Sequence, residues 1–298
     1  MPQTQHPTMR RVLRREIAGT IGLLADEHDF TAMRRYRTFT FDDHTVYLRQ
    51  VEALLRTLAA QGSHTTVALF DPEEYAEYCA ETGLEPDTPT SRTRYTAELA
   101  ATGPSVPYEG QPLDELLPDL VDEAVRQATW QYAAMLLAGV GACASCGEDI
   151  GRAAFTQASA LLTRILDTAG PGERHLVCSV STTSEPLTVA LRTEESPAGE
   201  RLMDETEALE LATVLALGLA TRSAGGVIMR TSRPGTTDRV YGWRLCGDGV
   251  EPLTAGEVFD AYCTDALSGD LVAPESDVDY CTPPALGDDG PTKGGHTH

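Results

Sequence analysis

Four residues of the sequence have the types and spacing of a zinc site. Cys143 and Cys146 occur in GVGACASCGEDIG, residues 139–151, and a C-x-x-C-G pattern lets two thiolates point at one ion. Zinc prefers four ligands, and the best candidates for the other two are His175 and Cys178. Residues three apart on a regular strand point to opposite faces, so this set requires His175 to lie before the strand.

Two other interpretations of the same cysteines stay open. Cys143 and Cys146 would be a redox pair if they lay at a helix N-terminus, where the helix dipole lowers a thiol pKa. Glu148 and Asp149 oppose this use because they add negative charge beside the thiols. In the third interpretation, which we favour, the cysteines are small residues packed in a tight turn between two helices.

The glycines of this stretch also fit the G-x-G-x-x-A pattern of a dinucleotide-binding loop. That mechanism needs a strand before Gly139 and a helix after Ala144. The residues before Gly139 instead continue a helical apolar stripe that begins at Leu113. We therefore predict that Gly139 and Gly141 end a helix and that no nucleotide binds there.

A second candidate site consists of carboxylates at predicted strand ends. A strand predicted over residues 35–41 is followed by Asp42 and Asp43, and one predicted over 64–70 is followed by Asp71. Ligands gather beyond the carboxyl ends of parallel strands, so these carboxylates share a crevice if the strands are neighbours. Such a cluster could hold Mg²⁺ for hydrolysis of phosphoesters, with the three aspartates as catalytic residues. The same aspartates also suit helix N-caps.

The elements that position these carboxylates form a predicted small α/β region over residues 1–85. A helix over residues 7–26 opens it, and the order α-β-α-β-α favours a βαβ unit with a parallel sheet. Residues 86–112 contain five prolines with Ser, Thr and Gly between them, and we predict a linker or a surface excursion there.

The rest of the chain predicts an α+β domain over residues 113–270, so the fold class is α/β with α+β character in the second half. Two long helices come first, followed by the order ββαββα with two β-hairpins packed on helices. The helix predicted over 203–223 is apolar nearly all round and should be buried. From residue 148 the order is similar to that of roadblock- and profilin-like folds, which often serve as protein-interaction scaffolds. Residues 271–298 are predicted to be a disordered tail.

Composition narrows the classes of function. The formal net charge of −22 over 298 residues repels polyanions, so we do not expect a nucleic-acid partner. Seven cysteines in a chain of this length favour reduced cytoplasmic thiols over a disulfide scaffold. No stretch is long and apolar enough to cross a bilayer. Arginine replaces lysine almost everywhere, which is typical of GC-rich, actinobacterial-type genomes; the only lysine is Lys293.

Our leading hypothesis is a non-catalytic protein-interaction or regulatory protein. No nucleophile elbow, Walker loop or zinc-protease motif occurs in the sequence. The first 37 residues hold seven arginines against four carboxylates, a net charge of +3, which suggests docking of a protein partner through the Arg-rich N-terminal helix. The alternatives are a metal-dependent phosphoester hydrolase and a zinc-stabilised binding protein. We predict no cofactor beyond the magnesium or zinc that these alternatives require.

Overall fold

The chain mixes α-helices and β-strands, with sheets packed on helices, which confirms the predicted α/β class. It divides into two compact units between Gln127 and Ala128, and each unit has its own hydrophobic core. No described helix combines the length and apolar character needed to cross a membrane. The computed structural model describes residues 19–170, 172–196, 199–247, 249–265 and 269–286.

The first unit contains a three-stranded sheet in the order β1-β2-β3. β1 and β2 are parallel, with Ile21 opposite Val67, and β3 pairs antiparallel with β2. The elements are β1 Gly19–Leu23, α1 Glu27–Met33, α2 His44–Ala60, β2 Thr65–Leu69, α3 Pro72–Thr82, α4 Pro89–Thr102, β3 Ser105–Pro107 and the start of α5 Leu113–Ala138.

The first strand of the parallel pair does not lie where the sequence predicted it. Residues 19–23 form β1, although the sequence predicts a helix over 7–26 that includes them. The rest of that predicted helix lies almost wholly outside the described residues. The short apolar run fits either type of element, and pairing with β2 decides for a strand. Gly22 permits this packing because a Cβ there would lie 2.9 Å from the Phe70 ring.

The predicted strand over residues 35–41 is instead a turn followed by irregular chain. Its aromatic residues suggested a strand, but they serve the core of the first unit. Tyr36 is buried, the rings of Phe39 and Phe30 lie 5.5 Å apart, and Phe41 packs edge-on against Tyr47 at 5.1 Å. Aromatic side chains fill a core from irregular chain as well as from a strand, so aromatic composition alone does not identify a strand here.

Residues 86–112 are not a linker, because they form α4 and β3 and contribute to the first core. Thr88 caps α4 and Pro89 occupies its first turn, where a missing N–H costs nothing. Tyr95 of α4 is buried. Pro107 ends β3, a short strand at the sheet edge, where proline is tolerated. The prolines thus mark element boundaries.

The second unit contains a seven-stranded sheet in the order β10-β8-β7-β4-β5-β6, with β9 beside β8. The two predicted hairpins are confirmed as β4–β5 and β7–β8. Part of the predicted disordered tail forms β10, which pairs parallel with β8. The elements after α5 are α6 Ile150–Thr168, β4 Glu173–Val180, β5 Leu187–Glu195, β6 Arg201–Met203, α7 Glu205–Thr221, β7 Gly225–Ser232, β8 Asp238–Cys246, β9 Gly249–Pro252, α8 Ala255–Tyr262 and β10 Val278–Tyr280.

Helices cover the two faces of this sheet unequally. The inner face packs on α6 and α7, and ten successive residues of α7, Glu210–Leu219, are buried, as its all-round apolar sequence predicted. On the outer face, α8 covers the β8 side through Val258 and Val240. The outer-facing side chains of β5 remain exposed, among them Thr188 and Ala190.

The long predicted helix is confirmed as α5, which runs from Leu113 to Ala138 with Pro118 inside it. The backbone N–H of Gly139 donates to the carbonyls of the last helical turn, at 3.1 Å each, so the helix ends at the glycines. A helix, not a strand, therefore enters the glycine cluster, and the geometry that a dinucleotide-binding loop requires is missing there.

Candidate functional site

The aspartates predicted to be catalytic act largely as helix caps. Asp43 accepts a hydrogen bond from the backbone N–H of Val46 at 2.8 Å and begins α2. Asp71 begins α3 and accepts hydrogen bonds from two backbone N–H groups, at 2.7 and 3.1 Å. Asp42 is exposed in the preceding loop. No group of three neighbouring ligand side chains in the described ranges contains any of these three aspartates.

A different acidic group occupies the carboxyl end of β1. Ligand atoms of Asp26, His28 and Asp29 lie within 4.8 Å of one another. Burial raises the pKa of Asp29, and the charges of Asp26 and then Asp71 raise it further. The strand-end rule would have led to this group had β1 been placed correctly. Asp26 caps α1 through the N–H of Asp29 at 2.8 Å, so a structural role accounts for its position.

His175 and Cys178 lie on opposite faces of β4. Cys178 is fully buried against the inner helices, and this burial raises the pKa of its thiol to about 12. His175 points to the exposed face. The structure does not bring these two side chains together with Cys143 and Cys146, because within the described residues no ligand group contains any of the four. The alternation of the strand separates them, as its geometry requires.

Cys143 and Cys146 lie in a closed turn between α5 and α6. The N–H of Cys143 donates to the carbonyl of Glu148 at 2.8 Å, and the N–H of Gly147 donates to the carbonyl of Cys143 at 2.8 Å. Gly147 has φ +73°, in the left-handed region that favours glycine. The two cysteines therefore lie in a tight turn between two helices. Both thiols are on one short loop, where Cys146 is exposed and Cys143 is half-buried.

An open cavity of about 560 Å³ lies between β1 and α4 in the first unit. Its polar lining consists mainly of threonine hydroxyls from Thr20, Thr93 and Thr96. Arg92 is the one charged residue among those that line it, and its guanidinium donates to Thr38. Among the described residues that line it, no acid–base pair occurs.

Three of the seven N-terminal arginines lie within the described residues. Arg34, Arg35 and Arg37 are exposed on the turn that follows α1. The guanidinium of Arg35 lies 5.5 Å from the ring centre of Tyr36, so part of this positive charge is held against the first core. The other four arginines, at positions 10, 11, 14 and 15, lie outside the described residues.

Strand β5 leaves part of its length unpaired at the edge of the second sheet. β6 pairs only with Thr193–Glu195. On that side, no described strand lies beside residues 187–192, which we call the β5 edge. Thr188 and Ala190 are exposed there. An open edge presents main-chain donors and acceptors that another strand can pair with, and natural proteins usually cover or charge such edges.

The direction of the main-chain groups on the β5 edge follows from one hydrogen bond. The N–H of Arg192 donates to Oε2 of Glu207 on α7 at 3.1 Å, so it points away from β4. N–H groups alternate in direction along an antiparallel strand, so those of Thr188 and Ala190 point to the same open side. The β5 edge therefore offers two outward main-chain donors between buried residues.

The surroundings of the β5 edge are acidic and partly apolar. Met203 pairs with Thr193 at the end of the edge and is 45% exposed. Leu202, its neighbour on β6, is 53% exposed. Carboxylates lie close by: Glu207 reaches the edge from α7, and Glu194 is on β5 itself, where it pairs with the guanidinium of Arg192 at 3.7 Å. A strand that docks here would meet apolar contacts and negative charge.

The comparisons with known proteins bear on the first unit alone. A family model described as a domain of unknown function, DUF8829, matches residues 8–111. These residues lie within the first unit. No curated protein matches the chain. No solved structure matches it either. A role for the second unit must therefore be argued from its own geometry.

Proposed function

We propose that the chain is a non-catalytic, cytoplasmic protein-interaction or regulatory protein whose second unit binds an extended segment of a partner protein along the β5 edge. The observation that carries this proposal is the outward direction of the N–H groups of Thr188 and Ala190, at an edge beside which no described strand lies. An extended segment would add a strand there and pair its own main chain with these groups.

The charges beside the edge define the chemistry of the partner segment. Glu207 carries negative charge at one end of the edge, and Glu205 adds another carboxylate on the first turn of α7, whereas Glu194 is ion-paired with Arg192 at 3.7 Å. A segment with basic residues at that end is complementary, whereas an acidic one is repelled. The exposed side chain of Met203 favours an apolar residue next to the basic ones.

The positions of the candidate catalytic aspartates favour the hydrolase alternative less than they favour a structural role for these residues. Asp43 and Asp71 each satisfy backbone N–H groups at the start of a helix, and this role alone explains their presence. Asp42 is exposed and does not join them in a ligand group within the described part of the chain. A metal-dependent reaction needs ligands that converge on one ion.

The experiment uses the backbone N–H of Ala190, which points away from β4. Proline at this position removes the outward N–H and leaves the pairing of β5 with β4 intact. We would select peptides of eight residues from a displayed library on the purified protein and titrate the best binder against A190P. The matched control is A190V, which keeps the N–H and changes only the side chain.

We expect A190P to weaken peptide binding about tenfold, since one main-chain hydrogen bond and close approach to the edge are lost. A190V should bind like the natural sequence, and selected peptides should contain basic residues. Equal affinity of A190P and A190V, or failure of selection, would overturn the proposal.

A further inference from the structure

Strand β1 forms one edge of the sheet in the first unit, and no described strand lies on its side away from β2. The N–H of Gly19 donates to the carbonyl of His64 at 2.9 Å, and the carbonyl of Leu23 accepts an N–H from just beyond β2 at 2.9 Å. Main-chain groups alternate in direction along a strand that pairs on one side. The N–H and carbonyl groups of Thr20 and Gly22 therefore point away from β2, and we call this side of the strand the β1 edge.

The cavity of about 560 Å³ between β1 and α4 includes both outward residues in its lining. Thr20 and Gly22 line it from the strand, and Thr93, Ala97 and Ala100 line it from the helix. These three helix residues are small and exposed. A strand added beside β1 would direct alternate side chains towards α4, where the small residues leave room for them. The main chain of the edge and the space beside it thus fit the same occupant, an extended peptide segment.

The charge at one end of the cavity is positive. Among the described residues that line the cavity, Arg92 alone is charged. Its guanidinium donates to the hydroxyl of Thr38 at 3.0 Å and to the carbonyl of the same residue at 3.3 Å. Thr38 follows the turn on which Arg34, Arg35 and Arg37 are exposed. These hydrogen bonds therefore hold an arginine-rich turn beside Arg92.

A carboxylate, that of Asp87, offsets part of this positive charge. It accepts hydrogen bonds from the N–H and the hydroxyl of Thr38, at 2.8 and 2.9 Å. These hydrogen bonds lower the pKa of Asp87, and the charge of Arg92 lowers it further. Arg92 uses one N–H of each terminal nitrogen on Thr38, so its remaining N–H groups can bind a carboxylate of a partner.

We infer that the β1 edge binds an extended, acidic segment of a partner protein, which adds a strand beside β1 and places a carboxylate against Arg92. The segment pairs its main chain with Thr20 and Gly22 and directs alternate side chains into the cavity. The charge of Arg92 and its neighbouring turn selects acidic segments over basic ones. This inference goes beyond the proposed function and does not depend on it, because the β5 edge takes segments of the opposite charge.

The test uses the full chain and a displayed library of eight-residue peptides that contain Asp and Glu but no Lys or Arg. The best binder is titrated against T20P and T20V. Both variants remove the hydroxyl of Thr20, which lies 2.8 Å from the hydroxyl of Thr66, but only proline also removes the outward N–H. We expect T20P to weaken binding about tenfold and T20V to bind like the natural sequence.

Two further variants change the cavity and its charge without altering the main chain of β1. A97L fills the cavity from an exposed position and should weaken binding about tenfold; it decides the question if T20P does not fold. R92A should weaken binding about fivefold. R94A is its control, because Arg94 is exposed on the same helix and is not among the residues that line the cavity. A190P should bind the acidic peptide normally, so failure of one proposal is distinguishable from failure of the other.

Several results would overturn the inference. Equal affinity of T20P and T20V in folded protein, no effect of A97L, or a library that yields no binder would exclude strand addition at the β1 edge. Equal binding of a peptide in which Lys replaces the acidic residues would exclude the role of Arg92. A dimer that T20P dissociates, measured by light scattering, would show that a second copy occupies the edge instead of a partner protein.

Discussion

The backbone N–H of Arg192 donates to the side chain of Glu207 across the edge of the second sheet, at 3.1 Å. This bond establishes which way the main chain of β5 faces, and it occupies one outward donor of an edge that is open further along. Glu207 therefore both orients the edge and limits its length. A charged residue in this position is a common way to discourage pairing between copies of a sheet.

Removing this bond should lengthen the open edge. In E207A, the N–H of Arg192 becomes free, and the carboxylate that repels acidic strands is lost. We expect E207A to self-associate more at high protein concentration, measured by light scattering against time. The matched control is E205A, since Glu205 carries the same charge on the same helical turn and is exposed. Equal scattering from E207A and E205A would mean that Glu207 does not protect the edge.

Two arginines from the sheet should stabilise the end of α6. Arg174 is buried and donates to the carbonyls of Gly170 and Gly172, just beyond the helix. Arg201 donates to the carbonyl of Leu166 at 3.3 Å and to the carboxylate of Asp167 at 2.8 Å. Both guanidinium groups therefore satisfy acceptors at the negative end of the helix dipole.

We expect R174A to lower the free energy of unfolding of the second unit by about 2 kcal/mol, because the carbonyls of Gly170 and Gly172 lose a charged donor and the buried packing of the Arg174 side chain is lost. R192A is the control, since the side chain of Arg192 is 63% exposed, and its loss should cost less than about 0.5 kcal/mol. Urea denaturation measures both. If the two variants unfold at the same urea concentration, Arg174 does not support α6.

The buried thiol of Cys178 should make the second unit less stable in alkali. Burial raises the pKa of this thiol from 9.0 to about 12. Above pH 9.0 the unfolded chain releases the proton while the folded chain keeps it, so the free energy of unfolding falls as the pH rises towards about 12. This contribution is fully present below the unfolded pKa.

C178A removes that contribution and leaves a small cavity, which should cost about 1 kcal/mol at neutral pH. The stability difference between the natural sequence and C178A should then shrink as the pH rises above 9.0. Denaturation in urea at several pH values measures it, and C146A, at an exposed position, is the control. A difference that stays constant with pH would contradict a raised thiol pKa.

The capping role of the aspartates separates them from catalytic residues. D71A should lower the free energy of unfolding of the first unit by about 1 kcal/mol, because two backbone N–H groups at the start of α3 lose their acceptor. D42A should leave stability unchanged, since Asp42 is exposed and caps no helix. Thermal unfolding followed by circular dichroism measures both. Equal stability of the two variants would argue against the cap.

The sequence correctly predicts the elements whose local residue pattern matches their place in the folded chain. Asp71 followed by Pro72 and two glutamates marks the start of α3, and the apolar run of α7 predicts its burial. The hairpin β4–β5 follows from alternation of buried and exposed residues, although the open edge of β5 does not. Strand order depends on contacts between distant residues, and no local pattern encodes which strand lies at the edge.

The elements that the sequence does not predict depend on tertiary contacts. Residues 19–23 form a strand because β2 lies beside them, and the acidic group at the end of β1 was missed for the same reason. The prediction that carboxylates converge beyond parallel strands is physically sound, but it was applied to Asp42 and Asp43 because the strand was placed over 35–41. An error in one element therefore displaced the whole candidate site.

The most direct test of the β5 edge is amide hydrogen exchange, measured by NMR with and without a selected peptide. If a peptide strand pairs with this edge, the amides of Thr188 and Ala190 should exchange rapidly in the free protein and slowly in the complex, since the peptide main chain accepts their hydrogen bonds. The amide of Val189, which points to β4, should be protected in both states. Unchanged exchange at Thr188 and Ala190 in a saturated complex would show that the peptide does not pair with the β5 edge.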